Sequence, residues 1–456
     1  MPSKPDAMTD TLDAPGGTPA PDATGARPFI SVKNLKTYFE IRGSVFDRLM
    51  GRDAGTVKAV DDVSFDLAKG EVLGLVGESG SGKSTLGRSL LGLVRATGGS
   101  AVFEGQEIVG LDERSLRRLR SRMQMVFQDP HAALNPAMTI AQSVGHPLKI
   151  HKRAKGAEDQ RRQVVAALER VGLSPAETYM DKYPGDLSGG QKQRAVIARA
   201  VVLDPVLLVA DEPVSMLDMS VRSKILQLMI DLKQKLGLTY LYITHDMATA
   251  KFFCDRIAIL YLGRIVEIGE ASALYAAPKH PYTQALLEAI PDPDPNHTLP
   301  RNLPRGEIPD AAKPPHGCAF HPRCPRAFAP CGWEIRDLTG LLEARWAGMA
   351  EADHQAERAL IGTPKIPDGP EAASRLPAAS GDGAALLALL EKIRAEDPAE
   401  PFWTGVKAMH AEAGHVTIDW HTPVTPRLIA GKGTAAACHL HDPALAAHLP
   451  KAADGA

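Results

Sequence analysis

The stretch Glu71-Val-Leu-Gly-Leu-Val76 runs straight into Gly77-Glu78-Ser79-Gly80-Ser81-Gly82-Lys83-Ser84-Thr85. The apolar run reads as a buried strand, and the glycines after it permit a tight loop whose backbone N–H groups turn inward. Such a loop cradles phosphate: Lys83 reaches the outer phosphates of a nucleotide and the Ser84 hydroxyl holds Mg²⁺. A helix is expected to open at about Gly82, adding its positive N-terminal end to the same site. The bland alternative, a chance match in a chain with 40 glycines, does not explain why the loop follows an apolar strand.

Working outward, Leu207-Leu-Val-Ala210 and Tyr240-Leu-Tyr-Ile-Thr244 are continuous apolar runs of the kind a parallel sheet buries on both faces. The first ends in Asp211-Glu212 and the second in Thr244-His245-Asp246, so three chemically useful side chains leave the sheet at strand ends. Further strands are expected at 29–32, 57–67, 102–103 and 123–127, with a hairpin at 257–268. Helical spacing appears at 112–122, 157–171 and 187–203. Strands alternating with helices give an α/β fold with a P-loop core. Gln128 closes the strand at 123–127. Ser188-Gly189-Gly190-Gln191 reads as a helix start with Ser188 as N-cap, a second anion-facing end.

At 456 residues and 44% hydrophobic content the chain is long enough for two or three domains. A formal net charge of −2 supplies no basic excess of the kind nucleic-acid binding requires. Residues 1–28 lack the apolar stretch of a secretory signal and read as a disordered tail. No apolar run is long enough to span a bilayer. Prolines at 278, 281, 291, 293, 295, 300, 304, 309, 314 and 315 mark an extended, turn-rich segment. Beyond it lie Ala/Leu-rich helical patterns, such as 384–394, and an alternation at Val416, Ile418 and Trp420.

The wider match Leu187-Ser-Gly-Gly-Gln-Lys-Gln-Arg194, set between the phosphate loop and Asp211-Glu212, resembles the signature of ATP-binding-cassette (ABC) ATPases. The resemblance implies a RecA-like core with antiparallel β and α-helical subdomains over 29–268, the helical part at about 129–190. Two cassettes then dimerise head to tail, the signature of each closing on ATP held by the other. It casts Glu212 as the residue polarising the attacking water and His245 as the switch histidine. Asp211, Gln128 and Ser84 are cast as Mg²⁺ contacts, Phe39 (or its neighbour Tyr38) as the adenine-stacking aromatic, and Asp218 as part of the dimer loop. Repair ATPases with long coiled coils fit poorly, because only about 105 residues separate Lys83 from Ser188. Translation factors, with two cassettes per chain, fit no better.

His280-Pro-Tyr-Thr-Gln-Ala-Leu-Leu287, Gly306-Glu-Ile-Pro309 and Gly317-Cys-Ala-Phe-His-Pro-Arg-Cys324 resemble the C-terminal extension of oligopeptide, dipeptide and nickel importer ATPases. That extension covers 269–331, and an accessory region of unassigned role follows at 332–456. The insertion between Phe39 and Val57 and the sequence Phe127-Gln-Asp-Pro-His-Ala-Ala-Leu-Asn-Pro136 look most like the second of the paired ATPases. The implied partners are a second ATPase subunit, two transmembrane permeases and an extracytoplasmic solute-binding protein, with the chain peripheral on the cytoplasmic face of the inner membrane. The solute is peptide, or alternatively nickel or another small molecule. Cys318, Cys324, Cys331 and Cys438 match the family's cysteine tail, and the resemblance leaves three readings open: a [4Fe–4S] cluster, zinc, or unliganded structural thiols. His316, His321, His439 and His441 stand near as substitute ligands, while Cys254 reads as a core thiol.

Overall fold

The computed structural model describes residues 28–41, 55–290, 304–367 and 369–449. The tail expected at 1–28 lies outside them but for Pro28, as do residues 42–54 of the insertion and Pro291, Pro293, Pro295 and Pro300. Strands β1 (Ile30–Glu40), β2 (Thr56–Leu67), β4 (Gly98–Phe103) and β5 (Gln106–Glu107) form an antiparallel sheet in the order β2-β1-β4-β5. The strand expected at 29–32 is much longer than the apolar run alone predicts, because β1 is paired on both sides and needs no continuous apolar sequence to persist.

Strands β3 (Val72–Val76), β6 (Met123–Val126), β7 (Leu207–Asp211) and β8 (Thr239–Thr244) are parallel. They share a sheet with β9 (Arg256–Tyr261) and β10 (Arg264–Glu270), which make the expected hairpin. All five residues of β3 and of β7 are buried, as a sheet covered on both faces requires. Gly74 in β3 leaves room for the Cys254 thiol, which would lie 2.7 Å from an added Cβ. A helical layer between Pro130 and Val201 packs on this sheet; its helices Ile140–Ile150, Ala157–Arg170 and Gly189–Val201 bury one apolar face together.

The C-terminal part does not stand off from the core. In the accessory region, β11 (Ala373–Pro377), β12 (Val406–Glu412) and β13 (His415–Trp420) form a three-stranded sheet in the order β11-β13-β12, backed by the helix Gly383–Glu396. Val416, Ile418 and Trp420 point inward from β13 on alternate residues. The chain then returns through β14 (Ile429–Ala430) and β15 (Thr434–Ala436), and β15 pairs with β10 at the edge of the ATPase sheet. Gly269 permits this approach, since a Cβ there would lie 2.4 Å from the Gly433 carbonyl oxygen.

His280 sits fully inside this junction. Its Nδ1 accepts the backbone N–H of Tyr282 at 3.1 Å and caps the helix Pro281–Glu288, while Glu267 takes the N–H groups of Lys279 and His280, both at 2.9 Å. Burial, with help from His441 and His439, pushes the imidazole down to about 3. The unfolded chain therefore binds the extra proton between about pH 6.5 and pH 3, and the stability that neutral His280 supplies at neutral pH is lost as pH falls through that window. Acidifying from pH 7 to pH 5 should cost about 2 kcal/mol through this group. Thermal unfolding of wild type against His280→Asn, which keeps a capping acceptor, checks this: the variant should lose less stability on acidification.

Candidate active site

The phosphate loop is built by conformations that only glycine adopts at low cost. Gly80 and Gly82 have φ of +80° and +98°, and a Cβ on Gly82 would sit 1.9 Å from the Ala59 carbonyl oxygen. The loop is tied down by Ser81 N–H to the Glu78 carbonyl at 3.2 Å and Gly263 N–H to the Ser81 carbonyl at 3.0 Å. Ser79 and Gly80 are exposed at its rim. Lys83 opens the helix Lys83–Leu90 with its side chain folded back, Nζ donating to the carbonyls of Gly77 and Glu78 at 2.7 and 2.8 Å and to Ser81 Oγ at 3.4 Å. Burial lowers its proton affinity, and the nearby carboxylates of Glu212, Asp211 and Glu78 work against that. Thr85 follows, half-buried.

β7 delivers Asp211 beside Ser84, whose hydroxyl donates to Asp211 Oδ1 at 2.8 Å. Asp211 is 1% exposed, and burial raises its pKa despite Ser84 and Arg88, whose guanidinium lies 3.7 Å away. Arg88 was not foreseen, although its place one turn beyond Ser84 on the same helix face is a usable signal. Ser84 and Asp211 are hard oxygen donors held together, a set that fits Mg²⁺.

Glu212 lies just past the strand end with φ of +46°, a region few non-glycine residues occupy. Its backbone N–H is held by the Ile243 carbonyl at 2.9 Å. Its carboxylate is engaged at both oxygens: Gln128 Nε2 donates to Oε2 at 2.9 Å, and His245 Nδ1 lies 3.0 Å from Oε1. Three residues from three strand ends thus meet around one carboxylate. With its amide nitrogen used on Glu212, Gln128 keeps its carbonyl oxygen free for a cation.

Other expected residues lie apart from this cluster. Phe39 is 44% exposed near the end of β1, whereas the Tyr38 hydroxyl is bound to Asp61 at 2.5 Å, which leaves Phe39 the free ring of the pair. Ser188 caps its helix by accepting the N–H of Gln191 at 3.3 Å, with Gln191 bonding back to the Ser188 N–H at 3.0 Å. Ser188 and Gly189 are exposed, and Gly190 packs against Val221, where a Cβ would come within 2.6 Å. Asp218 caps the helix Met219–Leu236 through the N–H of Val221 at 3.0 Å.

The four tail cysteines are all buried free thiols, close enough for Cys324, Cys331 and Cys438 to raise the pKa of Cys318. Burial pushes Cys324 and Cys331 up to about 12 and Cys438 to about 11. His439 Nδ1 lies 3.5 Å from Cys331 Sγ. The other histidines are engaged elsewhere: His321 with the Cys318 carbonyl and Asp337, His441 with the Lys279 carbonyl, and His316 facing Glu334. Among the described residues no group of three or more His, Cys, Asp or Glu side chains is arranged to hold a metal ion.

The ABC transporter family model matches residues 60–215, and the model for the oligopeptide/dipeptide transporter C-terminal region matches residues 266–331. Over 311 residues the chain is 47% identical to a putative peptide import ATP-binding protein of Brucella ovis, spanning 68% of this chain and 94% of that one. The chain belongs to the ABC transporter ATP-binding family. It is also 43% identical over 319 residues to the oligopeptide transport ATP-binding protein AppF of Bacillus subtilis, covering 69% of this chain and 95% of the relative. With the oligopeptide transport ATP-binding protein OppF of Escherichia coli it shares 42% identity over 311 residues, covering 67% and 91%. Its fold is the ABC cassette with the C-terminal region of this group, and its activity is ATP hydrolysis coupled to transport, with ATP and Mg²⁺. ATPases of importers work at the membrane with permeases and a binding protein; in this chain no described helix is long and apolar enough to cross a membrane.

Replacing Glu212 by Gln keeps the shape of the cluster and removes the carboxylate's charge. The kcat for ATP should fall by about a hundredfold or more while nucleotide affinity stays within a few-fold of wild type. Steady-state hydrolysis beside equilibrium binding of a fluorescent nucleotide measures both.

Proposed function

We propose that this chain is the ATP-hydrolysing subunit of a peptide importer, acting on the cytoplasmic face of the inner membrane. It would pair with a second, related ATPase and energise two permeases fed by an extracytoplasmic binding protein. The observation that carries the catalytic part is the meeting of Gln128 and His245 on the two oxygens of Glu212. In this reading Glu212 takes the proton of the attacking water, and His245 holds Glu212 and faces the γ phosphate. Lys83 and the N–H groups from Gly77 to Thr85 hold the phosphates, with Phe39 under the adenine. Ser84, Gln128 and Asp211 would hold Mg²⁺, which spreads the negative charge between the phosphates. Ser188, Gly189, Gly190 and Gln191 would complete the partner's nucleotide, and Asp218 would line the same interface. The exposed, capped helix end at Ser188 supports that outward role.

Peptide as the solute rests on the printed names of the relatives and on the oligopeptide/dipeptide transporter C-terminal region. A cleft between sheet and helical layer supports the permease contact. Leu93, Phe127 and Ile150 are 46%, 38% and 39% exposed around it, with His146 and Arg199 also lining it. An apolar cleft rimmed by basic groups suits an amphipathic permease helix.

For the cysteines we keep three readings. Thiols are the ligand type that a [4Fe–4S] cluster or zinc takes, but among the described residues Cys318, Cys324, Cys331 and Cys438 are not arranged to hold a metal ion. The raised pKa of each thiol equally suits four protonated core cysteines. No step of ATP turnover passes through this group. Iron, acid-labile sulfide and zinc measured per chain after anoxic purification separate the three, and Cys331→Ser should abolish whichever metal is found.

The deciding experiment reconstitutes the purified complex in vesicles and follows uptake of labelled di- and oligopeptides with ATP hydrolysis. Uptake of nickel but not peptide would move the solute and leave the ATPase standing. For the docking cleft, Leu93→Glu/Ile150→Glu should release the ATPase from its permeases on size-exclusion chromatography while nucleotide binding by the isolated chain stays at the wild-type level.

A further inference from the structure

Glu78, the second residue of the phosphate loop, is held from behind by the C-terminal region. Arg323 Nη1 donates to Glu78 Oε2 at 2.7 Å and Arg323 Nη2 to Oε1 at 3.1 Å, a two-pronged ion pair between residues 245 positions apart. The Tyr282 hydroxyl accepts the Glu78 backbone N–H at 2.9 Å. The third attachment comes from the site itself, since Lys83 Nζ donates to the Glu78 carbonyl. Arg323 is no loose surface group: its side chain is 9% exposed and its guanidinium lies 5.9 Å from the ring centres of both Tyr261 and Phe320. Tyr261 packs edge to face with both Tyr282, at 4.8 Å, and Phe320, at 5.3 Å, and Phe320 lies tilted on Tyr282 at 5.3 Å, so the two clamping residues share one aromatic bed.

The electrostatics give this clamp a consequence for the ligand. Glu78 places a carboxylate on a loop whose task is to receive a polyphosphate, and its charge is already felt at Lys83. Unanswered, that carboxylate repels the incoming anion and competes for the lysine. Paired with Arg323 it is neutralised in place, leaving the ammonium for the phosphates. Tyr282 meanwhile fixes the peptide that leads out of Gly77, which holds the start of the loop in place.

We propose that Arg323 and Tyr282 are positioning residues for ATP binding, which neutralise and orient Glu78 so that the phosphate loop is set for a triphosphate. This rests on the ATPase reading of the site. It assigns a task to two residues of the C-terminal extension, Tyr282 from the His-Pro-Tyr sequence and Arg323 from the turn between Cys318 and Cys324.

The test uses the full-length chain, with equilibrium binding of a fluorescent ATP analogue, ATPase kinetics of the assembled complex and thermal unfolding in parallel. Arg323→Ala should weaken ATP binding and raise KM by about tenfold with kcat within about twofold of wild type. Arg323→Lys, which keeps the charge and loses the fork, should fall between the two. Arg323→Ala/Glu78→Gln, which removes the unanswered carboxylate, should bind ATP more tightly than Arg323→Ala alone. Tyr282→Phe should raise KM by a smaller factor. If Arg323→Ala binds ATP like wild type, or if its defect follows a fall in unfolding temperature and Glu78→Gln does not relieve it, the clamp is overturned. Wild-type protein that bound no ATP would overturn the ATPase reading as well.

Discussion

Lys83 is an ammonium group folded into the interior with carbonyl and hydroxyl oxygens as its hydrogen-bond partners. Burying a charge is costly unless oxygen ligands and counter-charges stand close, and most of the surrounding structure meets that requirement. β3 and β7 are buried throughout so that the loop and Asp211 emerge at one end of the sheet. The left-handed glycines bend the chain back until its carbonyls face the ammonium. The loop's own carbonyls at Gly77 and Glu78 satisfy the lysine, so the same turn that exposes its N–H groups also holds the charge in place.

Around this charge the protein separates recognition from support. Glu212, Gln128 and His245 meet at strand ends. The C-terminal region holds the loop through Tyr282 and Arg323 at Glu78 and then continues into the buried thiols. An aromatic chain carries the packing onward from that turn: His321 against Trp333, Trp333 against Phe402, and Phe402 against Trp420 of the accessory sheet. One apolar core therefore runs from β3 to β13 without a break.

The parts legible in the sequence are those whose geometry is local. A glycine-rich loop after an apolar run, an acidic pair ending a strand and a serine before two glycines each fix their conformation within a few residues, and Gly77 to Thr85, Asp211, Glu212 and Ser188 stand where the pattern puts them. Gln128 and His245 were legible as strand-end residues, but their meeting on Glu212 depends on strand order, which no local pattern encodes. The pairing of β15 with β10 and of Arg323 with Glu78 was out of reach for the same reason. Contacts across 245 positions leave no periodicity to read. The cysteine spacing could be matched to a family, yet spacing alone does not say what the thiols hold.

The accessory region leaves the core at Gly332 and comes back beside its own point of departure. Val424 N–H bonds to the Pro330 carbonyl at 3.0 Å, and Cys331 touches His439, 108 positions later. The rest of the fold therefore meets this long excursion as a loop closed at its neck. The entropy lost in closing a loop grows only with the logarithm of its length, about 0.6 kcal/mol for each doubling, so the length of the excursion adds little to the cost of closing it. The same closure makes the outer turn of the lobe, at exposed Ala413 between β12 and β13, a natural port for protein engineering: a fluorescent or affinity module inserted there would leave the shared core intact and ride on a mount fastened, through Arg323, to the loop that grips ATP.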